Sequence, residues 1–87
     1  SRGTDYVLVI NGKLPLKGEE ISTILEKFVK EKRVRSHETQ GEYWETIFEV
    51  QLIDVTGAVV NEMIEEIHAL EGIQKVSLLA PQIALPV

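Results

Sequence analysis

The chain has 87 residues, no cysteine, 44% hydrophobic residues and a formal net charge of −5. Such a length holds one domain with one core, burying only about 60–65% of the unfolded chain's surface, and the composition is that of a globular protein. The missing cysteine rules out disulfides, thiolate nucleophiles and Cys-bound zinc, and the negative charge repels nucleic acid and anionic membrane surfaces.

Residues 1–4 read as a scar or linker, residues 5–80 as the domain and residues 81–87 as an apolar tail. Residues 6–10 form a continuous apolar, β-branched run, the pattern of a central strand buried on both faces. Asn11 and Gly12 punctuate it, and a loop continues through Pro15 to Gly18. Ile21, Ile24, Leu25, Phe28 and Val29 then follow helical spacing and make one apolar stripe. Glu19 and Glu20 in the first turn and Lys30 and Lys32 in the last suit the helix dipole. Glu26 with Lys30 and Lys27 with Glu31 would pair along its outer face.

Residues 33–38 and 43–54 alternate in the strand manner around Gln40 and Gly41, so they read as a hairpin. In the second arm Trp44, Thr46, Phe48, Val50 and Leu52 share the core face, and Tyr43, Glu45, Ile47, Glu49 and Gln51 point out. The first arm would bury Val34 and Ser36 and expose Arg33, Arg35 and His37. A second helix runs from about Thr56, as N-cap, to Leu70, with Val59, Val60, Met63, Ile64, Ile67 and Leu70 inward and Gly72 as its stop. Residues 73–79 are the last strand. The order βαββαβ defines an α+β, two-layer ferredoxin-like sandwich: a four-stranded antiparallel sheet with two helices on one face and strands one and three in its centre.

No catalytic constellation emerges. Ser22 is helical, Ser36 core-facing and Ser77 in a strand, so no nucleophile–base–orienter set can be assembled, and no phosphate-binding loop motif occurs. His68 stands beside Glu65 and Glu71 on a solvated helix face, which is a common surface pattern and no metal site. RNA-binding domains of this strand order carry aromatics and cations on the open sheet face, whereas Glu45 and Glu49 stand there. We therefore expect no enzyme activity, no cofactor, no metal, no nucleic acid and no catalytic residue.

One feature departs from a simple monomer. Both alternating sets of the first strand are apolar, so either Val7 and Val9 or Tyr6, Leu8 and Ile10 meet Ile47 on the open face, with Leu79 or Val76 and Leu78 beside them. Such a patch marks an interface, unless residues 83–87 fold over it. The expected interface comprises Tyr43, Ile47, Arg35, Glu45 and Glu49, and the expected partner is a second copy.

The segment Leu70-Glu71-Gly72-Ile73-Gln74-Lys75-Val76 looks like the helix–Gly–strand junction of ACT and ACT-like regulatory domains. The whole-chain order resembles the ACT-like cytoplasmic C-terminal domain of bacterial membrane proteins of the MgtC/SapB family. The resemblance implies a regulatory or self-association domain of a larger, membrane-anchored protein, cytoplasmic and touching the membrane only through its parent. An ACT-type sensor of an amino acid or similar metabolite, binding between subunits, is the alternative. Asn11, Gly12 and Lys13 would then be its ligand loop, although the Asp-x-x-Gly of amino-acid-binding relatives is replaced here by Asn11-Gly12.

Parity fixes a last expectation. Directly opposed residues of an antiparallel pair share a face. Keeping Arg35 and His37 out while Trp44 and Phe48 face in requires even residues to oppose even ones, hence an odd loop. A three-residue loop of Thr39, Gln40 and Gly41 with a left-handed Gly41 meets that demand.

Overall fold

The computed structural model describes residues 4–80. Its elements are β1 (Tyr6–Lys13), α1 (Gly18–Glu26), β2 (Val29–Gln40), β3 (Tyr43–Leu52), α2 (Gly57–His68) and β4 (Ile73–Leu79). The sheet order is β2-β3-β1-β4, every pair antiparallel, so the expected ferredoxin-like α+β sandwich stands, with β1 and β3 central.

The alternation of β1 and β3 assigns the two faces. Leu8, Ile10, Trp44, Val50 and Leu52 point to the helices and are buried with Ile21, Leu25, Met63 and Ile67. Val7, Val9 and Ile47 point away. Trp44 carries a polar atom into this core, and its indole N–H donates to the Lys13 carbonyl at 3.1 Å.

α1 is shorter than its apolar spacing implies. The Lys27 and Phe28 N–H groups donate to Ile24 O and Leu25 O, three residues back, and close the helix there. Val29 already pairs with Leu52, and the Phe28 carbonyl accepts from Ile53 N at 2.9 Å. The last residues of β3 need a backbone partner on that side, and this outweighs the helical propensity of residues 29–32. Phe28 and Val29 still enter the core, from a turn and a strand. The predicted Glu26–Lys30 and Lys27–Glu31 helical pairs are therefore not formed; Lys27 instead makes an ion pair with Glu66 of α2.

β1 is longer than expected and takes in Asn11, Gly12 and Lys13, which are strand and not loop. Gly12 pairs with Trp44 on one side and Ile73 on the other. Leu70, Glu71, Gly72 and Ile73 form a turn closed by Ile73 N to Leu70 O, with Gly72 at φ 86. The Gly72 carbonyl crosses β1, accepts from Lys13 N at 2.8 Å, and would lie 2.4 Å from a methyl carbon at residue 12.

Thr56 occupies the N-cap position of α2 with extended backbone but makes no side-chain cap bond. Its N–H donates to Asp54 Oδ1 at 2.8 Å, and this bond, with a second from the Thr56 hydroxyl, holds the Asp54 carboxyl below the usual carboxylate range. The sign follows from linkage: the contribution is present above the unfolded-state value of about 3.9 and is lost as pH falls through the lowered folded value.

The hairpin departs most from expectation. Gln40 pairs with Tyr43, so the loop is the two residues Gly41 and Glu42, not three. Gly41 has φ 61 and Glu42 a negative φ, the sign pattern of a type II′ turn. Near the turn the parity is odd: Thr39 opposes Trp44 and His37 opposes Thr46. The even parity needed for Val34 against Phe48 is restored by a bulge, where Arg35 and Ser36 together oppose Ile47. Ser36 thus points out and His37 in, the reverse of the sequence expectation. His37 is tolerated because the helix-side face is open to water there; β2 is exposed from Lys30 to Gln40.

Alanine at the two glycines separates their roles. Gly12→Ala, which drives a methyl into backbone, is expected to lower unfolding free energy by about 2–4 kcal/mol. Gly41→Ala, where nothing lies within 4 Å, should cost only the left-handed backbone, about 1 kcal/mol. Urea unfolding with an unchanged slope would measure both, and equal midpoints would contradict the close approach at Gly12.

Candidate functional site

The register lays the open face out as transverse rows. One row is Lys75, Asn11, Glu45 and Glu38, the next Ser77, Val9, Ile47 and Ser36, and the third Leu79, Val7, Glu49 and Arg33. Val7, Val9 and Ile47, with Leu79 about half exposed, are a contiguous apolar centre. Of the two outward sets allowed by the sequence, Val7 and Val9 is the one found. Residues 83–87, the alternative cover, lie outside the described residues.

Polar groups border this centre. Arg33 donates to Glu49 Oε1 at 3.3 Å and to Asp5 Oδ2 at 3.4 Å, and Gln51 donates to Asp5 Oδ1 at 3.2 Å. Asn11 donates to Glu45 Oε1 at 3.3 Å. Tyr43, Glu45, Ile47 and Glu49 share this face as expected, while Arg35 sits at the bulge and Arg33, expected on the outward face, is the cation that binds Glu49. These exposed ion pairs contribute little to stability, and they orient more than they tighten. Asn11 lies on this face, Gly12 is buried under the Gly72 carbonyl, and Lys13 ends the strand. The backbone at these positions is committed to β3, β4 and the 70–73 turn.

A hollow of about 260 Å³ at the hairpin end of this face is bordered by Asn11, Tyr43, Glu38 and Glu45. A second, of about 270 Å³, lies on the helix side between the 14–17 loop, α1 and the hairpin. Sequence reasoning missed it, because only the bulge brings His37 to that side. Its Nδ1 lies 2.7 Å from Thr46 Oγ1.

No family model matches this chain, and no curated protein matches it in sequence. In three dimensions it is similar to the C-terminal domain of the MgtC protein from Mycobacterium tuberculosis, solved in solution. The likeness covers 93% of this chain and 92% of that one, with a TM-score of 0.68 at 11% identity. The chain therefore has the fold of an MgtC-type C-terminal domain. Among the described residues, no helix is long and apolar enough to cross a membrane, and no group of three or more His, Asp or Glu could hold a metal ion.

Glu38 and Glu45 stand directly opposite one another. Like charges so placed repel, and Glu38→Gln should raise stability by about 0.2–1 kcal/mol in low salt, with the gain fading as salt is added. Thermal unfolding at two ionic strengths checks this, and a salt-independent loss of stability would speak against the repulsion.

Proposed function

We propose that this chain is a non-enzymatic regulatory and self-association domain of a larger, membrane-anchored bacterial protein, acting on the cytoplasmic side. Its partner is a second copy, docked on the open sheet face. The carrying observation is the apolar centre of Val7, Val9, Ile47 and Leu79 inside a charged border. Contiguous apolar surface of this kind is covered in stable assemblies. The likeness to a C-terminal domain supports the reading as one part of a longer protein.

The Lys75 row and the Ile47 row are self-complementary. Packing two such faces about a two-fold axis running along the strands reverses the strand order but keeps the rows level. The Glu38 end of one sheet then meets the Lys75 end of the other, and Ile47 meets Val9. A two-fold contact must match a surface to itself in this way. Aligned sheet packing of this type is common, with the strands about 30° apart.

An amino-acid sensor at Asn11, Gly12 and Lys13 has weaker support. Those backbone groups already pair within the sheet, and Gly12 is covered.

Ile47→Glu should convert a dimer or higher oligomer into a monomer with an unchanged circular dichroism spectrum. Sedimentation equilibrium measures this, and a monomeric unmutated chain at high concentration would remove the interface. Glu38→Gln should weaken association although it stabilises the fold, because the carboxylate loses its lysine across the interface.

A further inference from the structure

We infer that the helix-side groove is a binding site for a small carboxylate with an apolar body and no ammonium group. The hairpin outruns the helix layer: β2 has 12 residues and α1 has 9, so the helix side of the hairpin is only partly roofed. The resulting groove of about 270 Å³ has apolar walls from Leu16, Ile21, Val34 and Phe48. Val34 is 60% exposed and Leu16 41%, so apolar surface there awaits a cover. The volume suits a ring or short chain, being just below the usual range for larger ligands.

Charge selects the ligand class. The chain carries 14 acidic residues against 9 Lys and Arg, yet among the described residues no carboxylate lines the groove. Its two ionisable lining groups are Lys32 and His37. Lys32 Nζ lies 3.5 Å from Ser22 Oγ, which steadies the ammonium at the rim. Thr46, almost fully buried, engages His37 Nδ1 and fixes the ring, which leaves Nε2 as its remaining polar atom. A carboxylate reaching these groups makes charge-assisted contacts while its body displaces water from Val34 and Phe48. An ammonium group would find no acceptor of opposite charge, which turns the groove against amino acids and amines.

The test is an amide-shift titration of the whole chain with 3-phenylpropanoate, phenylalanine and phenethylamine. The carboxylate should give saturable, millimolar-range shifts at Val34, His37, Thr46 and Phe48, phenylalanine a weaker response, and the amine none. Lys32→Gln combined with His37→Gln, both on an exposed strand, should weaken the carboxylate about tenfold. An equal response to the amine, shifts centred on Val7, Val9 and Ile47, or no saturation would each overturn the assignment. Groove shifts on diluting the protein alone would assign the groove to a second copy and overturn it as well. Ile47→Glu should bind the carboxylate undiminished, so failure of the groove and failure of self-association are read separately.

Discussion

The register of β2 against β3 decides what both faces of this domain present. A side chain in a sheet has two directions, and a shift of one residue exchanges them. The two-residue turn at Gly41 and Glu42 commits the tip of the hairpin to odd parity, which sends His37 and Thr39 toward the helices. The core requires the opposite parity further along, where Val34 must share a face with Phe48. The bulge at Arg35 and Ser36 reconciles the two demands with one extra residue. Without it either His37 would leave the groove or Arg33 would leave Glu49.

The turn end of the sheet is also held by backbone. Gly12 lets the Gly72 carbonyl cross β1, Lys13 N donates to that carbonyl, and the Lys13 carbonyl takes the Trp44 indole. One glycine pair thus joins the end of β1, the turn into β4 and the largest core side chain. The Leu70-to-Val76 junction, which carries the family resemblance in the sequence, is part of this clasp, so its glycine answers a packing requirement.

Elements governed by side-chain alternation were legible in the sequence. The two faces of β3, the bounds of β4 and the central place of β1 and β3 all follow from period-two patterning and right-handed crossovers. Elements governed by backbone pairing were not. Residues 29–32 carry charges that suit a helix as well as a strand, and only the unpaired end of β3 decides between them. Asn11 and Gly12 look like a turn because glycine usually ends strands, whereas here it admits another chain segment. The apolar open face was legible because Val7 and Val9 alternate with equally apolar neighbours. The groove was not, since it exists only through a bulge whose position no residue type announces.

β2 also bears on the proposed self-association. An exposed edge strand of 12 residues invites strand addition, and this one resists it through its bulge and through Lys30, Lys32, Arg33 and Arg35. Those four cations are nearly half of the 9 Lys and Arg in a chain of net charge −5, so positive potential is concentrated on one edge while the outer row of Glu38 and Glu45 stays negative. In the proposed face-to-face dimer Glu38 would stand against Lys75 and Ile47 against Val9, whereas two β2 edges brought together would set cations against cations. A domain this small has little core to spare, and covering Val7, Val9 and Ile47 adds apolar burial that its own helices cannot reach.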